Sequence, residues 1–155
     1  MKSVWYYDYP IGRIGIAEEN GALCHVFLSG SKILTGFSTA QTPLIQEAAR
    51  QLEEYFDGRR KEFDLPLSLH GTEFQQSVWE ALQAIPVGET RSYKEIAVQI
   101  GNPRASRAVG TANNRNPVII IIPCHRVVGQ DGSLTGYVGG LPVKQYLLEL
   151  EKRYA

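Results

Sequence analysis

The chain has 155 residues, of which 43% are hydrophobic and 21% charged, with a formal net charge of zero; this is the make-up of an ordinary globular protein, long enough for one domain or two small ones. No stretch approaches the roughly 18 consecutive apolar residues of a membrane span, and the opening MKSVWYYDYP is too short and polar for the apolar core of an export signal. Cys24 and Cys124 form no CxxC pair, so the expectation is two free thiols in a reducing, cytoplasmic setting.

The first thirty residues read as strands. Residues 3–9 are β-branched and aromatic, Pro10–Arg13 and Glu19-Asn20-Gly21 are turn signals, and residues 14–28 resemble a hairpin. The period changes at Thr42-Pro43. Thr42 can cap a helix, Pro43 suits its first position, and Ile45, Ala48, Ala49, Leu52 and Phe56 make one apolar face before Gly58. Residues 61–70, KEFDLPLSLH, read as another strand or an extended linker. Residues 1–69 hold seven Lys/Arg against nine Asp/Glu, a net −2, and no constellation of reactive side chains.

From Gly71 the texture becomes helical. Thr72 with Gln75 has capping-box spacing, and Phe74, Val78, Leu82 and Ile85 follow at helical intervals. Ser92 with Glu95 is a second capping box, opening a short helix from Tyr93 to Ile100 that Gly101 stops. Pro103 is expected to start a further helix reaching about Asn113. Two short helices joined by Gly-Asn-Pro suggest a helix-turn-helix. The second is dominated by small residues (Ala105, Ser106, Ala108, Gly110, Thr111, Ala112), so its backbone can come close to whatever it faces, a ligand or another helix. Between residues 90 and 128, Arg91, Lys94, Arg104, Arg107, Arg115 and Arg126 stand against Glu95 alone, a net +5. That is either a footprint for a polyanion or a solvated basic face.

Ile119–Ile122 read as a strand buried on both faces, ending in Pro123-Cys124-His125-Arg126. Three reactive or charged side chains in a row are a poor end for a core strand, unless the strand exists to hold them. A thiol attacks as thiolate and ordinarily titrates near about 8.5, so Cys124 needs help at neutral pH. Neighbours on an extended chain point to opposite faces, which leaves direct contact with His125 open; a water between sulfur and imidazole would solve the geometry. A carboxylate beyond the ring would fix its tautomer, and Glu149, Glu151 and Asp131 are candidates. Glu149 and Glu151 lie on a last amphipathic helix, KQYLLELEKRYA. On the residues alone, Cys124 is a reactive thiol beside a nucleic-acid-binding element, or a core cysteine.

Pro123-Cys124-His125-Arg126-Val127-Val128 resembles the active-site signature of the O6-alkylguanine-DNA alkyltransferases. The likeness extends, in unbroken register, over residues 71–97, 101–117 and 135–151. It implies an N-terminal α/β domain (1–69), ribonuclease-H-like, with a small antiparallel sheet plus helix. A mainly helical C-terminal domain (70–155) would follow, with a winged-helix-like helix-turn-helix. The implied activity is direct-reversal repair of double-stranded DNA. The alkyl group on O6 of guanine, and also O4 of thymine, would pass irreversibly to the protein's own cysteine, in a monomer with no metal and no cofactor.

Residue by residue, the resemblance makes Cys124 the alkyl acceptor, His125 its water-bridged base and Glu151 the orienting carboxylate. Asn116 would brace the turn after the recognition helix, and Tyr93 would donate toward guanine N3. Arg107 would enter the base stack where the target base was. Arg104, Ala105, Ser106 and Gly110 would lie with it against the minor groove, where small side chains let the backbone approach. Tyr137, Val138, Val127 and Thr135 would line the pocket. There the Val138 N–H would donate to O6, and the carbonyls of Cys124 and Val127 would accept from the exocyclic amine. The sequence departs from relatives at Ile119, where some have proline, and at Val138, where serine or alanine is common. Cys24, His25 and His70 are too few and too badly spaced for the zinc site of some relatives. Two rivals make other demands: a non-catalytic helix-turn-helix binder gains no mass from alkylated DNA, and a Cys-His hydrolase turns over without DNA.

Overall fold

In the computed structural model, which describes residues 1–155, β1 (Lys2–Tyr9) and β2 (Gly12–Glu19) pair antiparallel, with Val4 opposite Ala17 and Tyr9 opposite Gly12. β3 (Ala22–Leu28) extends the sheet on the other side of β2, with a bulge between Ala17 and Glu18. The β2–β3 turn places both Asn20 (φ 52°) and Gly21 (φ 84°) in the left-handed region, the backbone of the type I′ turn that an Asn-Gly pair favours. The sheet is not purely antiparallel as expected. A two-residue strand, β4 (Ser38–Thr39), crosses to the far edge and pairs parallel with β1, giving the order β3-β2-β1-β4.

Helix α1 (Pro43–Phe56) begins at Thr42, whose hydroxyl accepts from the Ile45 N–H, with Pro43 in the first turn. It buries Ile45, Ala48, Ala49, Leu52 and Phe56, together with Gln51 and Tyr55. Residues 61–70 form no regular strand. A single bridge joins Leu23 to Leu67, with Leu23 N–H to the Pro66 carbonyl and Ser68 N–H to the Leu23 carbonyl, both 2.8 Å. Pro66 has no N–H to continue a ladder, and the buried Gln51 carboxamide satisfies the Asp64 backbone from both ends instead.

These elements make up one compact unit, Met1–Leu69; the second is His70–Ala155. In the second, α2 (Glu73–Gln83) and α3 (Tyr93–Gln99) both start with complete capping boxes, Thr72 with Gln75 and Ser92 with Glu95. β5 (Arg91–Ser92) leads into α3, and Gly101 (φ 83°) ends it. Helix α4 runs Ser106–Asn114, three residues later than the expected start at Pro103. Pro103 instead sits second in a turn closed by Ala105 N–H to the Asn102 carbonyl at 3.0 Å, a position its fixed φ suits. Val78, Trp79, Leu82, Ile96 and Val109 fill the space between these helices, each no more than 1% exposed. The Trp79 indole donates to the Ala112 carbonyl at 3.0 Å, tying α2 to α4.

The largest departure from expectation is at the four isoleucines. Residues 118–122 are not a strand but a tight reversal, with Ile122 N–H to Val118 carbonyl (3.1 Å), Ile121 N–H to Ile119 carbonyl (2.8 Å) and Ile120 at φ 71°. A β-branched residue in the left-handed region is strained, but Ile119, Ile120 and Ile122 are at most 2% exposed, so burial outweighs the strain. Apolar character survives as a signal of depth, not of extended backbone. A single turn of 3-10 helix, Cys124–Arg126, follows, then β6 (Val127–Val128), which pairs parallel with β5. Helix α5 (Leu141–Tyr154) closes the unit, starting three residues before the expected Lys144.

Removing the cap that opens α3 should be measurable. Ser92→Ala is expected to cost about 1 kcal/mol, read as a lower urea midpoint for the C-terminal unit at unchanged slope.

Candidate active site

Cys124 is the first residue of the 3-10 turn, and its side chain is fully buried. The turn removes the difficulty posed by an extended backbone, because the side chains of residues 124–126 do not alternate across a strand. His125, also fully buried, meets α5: its Nε2 lies 2.6 Å from Glu151 Oε2. Arg126 grips the same carboxylate with two nitrogens, Nε to Oε1 at 2.8 Å and Nη2 to Oε2 at 2.9 Å, and donates from Nη1 to the Ile85 carbonyl at 2.6 Å. Of the three candidate carboxylates, only Glu151 reaches the ring. Glu149 is exposed and accepts from Gln145, and Asp131 is exposed and accepts from the Ser133 N–H.

Burial alone would raise Glu151, but the His125 ring and the Arg126 guanidinium overcome it and hold the carboxylate down to about 2. An ionised carboxylate only accepts, so His125 Nε2 carries the proton in this pair. Burial lowers the His125 value, against the pull of Glu151, so the ring is neutral near pH 7. Its Nδ1 then presents a lone pair, and this atom is buried with no protein partner. Burial pushes the Cys124 thiol up to about 11, and the Asn116 carboxamide, the Lys144 charge and the Tyr137 hydroxyl each pull it back in part. Cys124 therefore rests as a protonated thiol, and it would need a base to become a nucleophile.

Asn116 staples the reversal that precedes the thiol. Its Oδ1 accepts from Val118 N–H (2.9 Å) and its Nδ2 donates to the Ile122 carbonyl (2.7 Å). Tyr137 is 8% exposed; its buried hydroxyl lies beside the thiol with no hydrogen bond of normal geometry, and burial raises it well above the ordinary tyrosine value. Tyr93, the first residue of α3, shares a hydrogen bond with Thr135 Oγ1. Val127 is fully buried, while Val138 is 39% exposed. The proposed DNA-contacting residues are elsewhere on the unit: Arg104 and Arg107 are exposed, and Ala105, Ser106 and Gly110 are half-buried along α4 and the turn before it. Gly110 lies against the Tyr93 ring.

Three features were not anticipated from the sequence. Arg126 is only 6% exposed and neutralised by Glu151, so it does not belong to the basic footprint; Lys94, Arg104, Arg107 and Arg115 are the exposed cations there. Asn113 donates to the Cys124 carbonyl (3.2 Å), which also accepts from the Val127 N–H. The Val127 carbonyl also has a buried side-chain donor. That donor is Lys144, fully buried on α5, which reaches the Val127 carbonyl at 2.6 Å and the Thr135 carbonyl at 3.3 Å. Its signal was present: Lys144, Leu147 and Glu151 recur at the spacing of one helix face.

Comparison with known proteins finds one family over both units. Residues 4–69 match the family described as 6-O-methylguanine DNA methyltransferase, ribonuclease-like domain, and residues 73–153 match its DNA binding domain. The methylated-DNA–protein-cysteine methyltransferase of Methanosarcina barkeri is 56% identical over 153 residues, covering 95% of this chain and 97% of the relative. The constitutive one of Bacillus subtilis is 49% identical, covering 94% and 92%. Among solved structures, Mycobacterium tuberculosis OGT in complex with DNA superposes with a TM-score of 0.93 at 49% identity, over 99% of this chain and 94% of that one.

Glu151→Gln is expected to do more than disturb His125. It leaves the buried Arg126 guanidinium without its counter-charge, so folding stability should fall by about 3–5 kcal/mol. The acid limb should change as well. Both Glu151 and His125 bind protons less readily folded than unfolded, so their stabilisation is present above the unfolded values, about 4.3 and 6.5, and is lost as pH falls. Urea unfolding from pH 7 down to pH 3 should show that loss, and the Gln variant should lack the carboxylate's part below about pH 4.3.

Proposed function

The chain belongs to the 6-O-methylguanine DNA methyltransferase family, and on that footing we propose that Cys124 is the residue consumed in its reaction. The protein repairs DNA by direct reversal, moving the alkyl group of O6-alkylguanine to one of its own cysteines. The observation that carries the choice of residue is the buried chain Arg126–Glu151–His125, which ends in an unpartnered ring nitrogen one residue from a buried thiol. Cys24 is likewise pushed up to about 11 by burial, but its thiol donates weakly to the Ala17 carbonyl at 3.6 Å and has no such chain beside it.

The reaction is an in-line displacement. A water between Sγ and Nδ1 passes the thiol proton to His125, and Glu151, held by Arg126, stabilises the imidazolium that forms. The sulfur lone pair makes the carbon–sulfur bond as the carbon–O6 bond breaks, and that bond's electron pair leaves with guanine. Tyr93 donates toward N3 as the charge develops there, which favours the transition state over the bound ground state. The Val138 N–H serves O6, and the carbonyls of Cys124 and Val127 take the exocyclic amine. The product is a thioether, which water does not cleave, so one molecule removes one lesion. O4-alkylthymine presents the same alkyl-oxygen bond and is a second substrate.

A base inside a duplex cannot reach a buried thiol, so the nucleotide must swing out. Arg107 on the exposed side of α4 and Arg104 in the turn before it, with Ala105, Ser106 and Gly110 leaving room for the backbone, form the minor-groove face. Arg107 fills the place of the extruded base. The substrate and two free thiols are in keeping with work in the cytoplasm, and no helix is long and apolar enough to cross a membrane.

Two measurements test this. With methylated duplex in tenfold excess, repaired lesions should equal active protein and then stop, with one methyl on the Cys124 peptide and none on the Cys24 peptide; complete repair of the excess would overturn single use. Arg107→Ala should slow transfer strongly on duplex DNA and little on free benzylguanine, because unstacking costs a few kcal/mol only in the duplex. Equal loss on both would assign Arg107 to the pocket or the fold.

A further inference from the structure

Thr135 and Tyr93 stand 42 positions apart in the chain, yet their hydroxyls are 2.5 Å from each other. Tyr93 opens α3, and its ring lies against Gly110 of α4. Thr135 belongs to the loop between β6 and α5, and it is held from its other side, because Lys144 donates to its carbonyl at 3.3 Å while donating to the Val127 carbonyl at 2.6 Å. The buried lysine thus fixes the backbone that presents the threonine hydroxyl. A tyrosine hydroxyl pointing into a pocket swings on its ring and exchanges partners with solvent; this one has a fixed partner.

We infer that Thr135 is a positioning residue for the transfer step, its hydroxyl holding and polarising the Tyr93 hydroxyl so that Tyr93 donates more strongly to the departing guanine. The inference rests on the donor role given to Tyr93 above. A phenol has one proton and a threonine hydroxyl has one proton. When Tyr93 spends its proton on the guanine ring, its oxygen can only accept, and the hydroxyl in place to donate is that of Thr135. The order is then fixed as Thr135 O–H to Tyr93 oxygen, and Tyr93 O–H to guanine N3. A hydroxyl that accepts while it donates is a better donor, because hydrogen bonds in series polarise one another. The gain grows as negative charge builds on the leaving guanine, so it acts on the transition state more than on binding.

The test is a double-mutant cycle in the full-length protein, with Thr135→Val, Tyr93→Phe and the double variant, and with Thr135→Ser as rescue. The readouts are the single-turnover rate of methyl transfer from saturating methylated duplex and, separately, affinity for unmodified duplex. Thr135→Val should slow transfer roughly three- to tenfold, the range that one hydrogen bond of ordinary net strength supplies, at unchanged duplex affinity. Thr135→Ser should stay near the parent rate. In the Tyr93→Phe background, Thr135→Val should cause no further loss, since the hydroxyl it served is gone.

If Thr135→Val slows both backgrounds by the same factor, Thr135 shapes the pocket and the inference fails while the role of Tyr93 stands. A parent-like Thr135→Val also overturns it. If Tyr93→Phe itself transfers at the parent rate, the donor role of Tyr93 fails first and takes the inference with it. Should Thr135→Val not fold, Thr135→Ala enters the same cycle with the same expectations.

Discussion

The carboxylate of Glu151 is the point on which the C-terminal unit turns. A buried carboxylate is unfavourable unless its charge and lone pairs are met, and here Arg126 meets it with a two-pronged hydrogen bond while His125 takes a further position on the same group. The arrangement draws three separate segments together: the last helix through Glu151, the 3-10 turn through His125 and Arg126, and the segment just after α2 through the Ile85 carbonyl. A hydrophobic cluster of equal volume could join the same segments with less desolvation. It could not fix the protonation of a ring. The ionised carboxylate determines which nitrogen of His125 carries the proton, and so which one faces the chemistry.

Around that centre the backbone is bent to purpose. The reversal at 118–122 places a β-branched residue in the left-handed region, which is tolerated because isoleucine side chains anchor it in the core and the Asn116 carboxamide bonds it at both ends. The result is a thiol at the start of a tight turn rather than at the end of a strand. Its carbonyl accepts from Asn113, and that of Val127 accepts from a lysine with no exposed surface. Lys144 is as deeply buried as Trp79, its ammonium is met by the Val127 and Thr135 carbonyls, and burial lowers its value, which a thiolate at Cys124 would draw back up. A cation in that position favours a thiolate once the proton has left.

The exposed surface of α4 follows another logic. Val109, Ala112 and Asn113 face inward, and the outer side is left with Arg107, Ala108, Thr111 and Asn114. Small residues cover little surface and hold no partner at a distance, so a groove can come close to the backbone. Four exposed cations, with Arg126 withdrawn into the interior, give a modest electrostatic attraction. That degree of charge suits a protein which must leave undamaged DNA as readily as it meets it.

Elements governed by local chemistry were legible in the sequence. The Asn-Gly turn, the Thr42-Pro43 start of α1 and the two capping boxes each depend on contacts within four residues, and all appear where the sequence put them. Cys124 and His125 were legible as reactive neighbours, and the likeness of four ordered blocks singled out Glu151. Where local signals conflicted with distant ones, the sequence misled. Four isoleucines favour a strand by propensity, but Asn116 and the core impose a turn. Pro103 favours a helix start, but the Asn102–Ala105 turn takes it first. Arg126 counted as surface charge until Glu151, 25 residues on, was found to bury it, and Lys144 drew no attention because its partners are backbone carbonyls, which no side-chain pattern records. The sequence by itself determined which residues are candidates for the chemistry, since reactivity belongs to side-chain type. Only the tertiary structure decided their protonation, partners and backbone shape, because those depend on burial and on groups that the chain brings together from far apart.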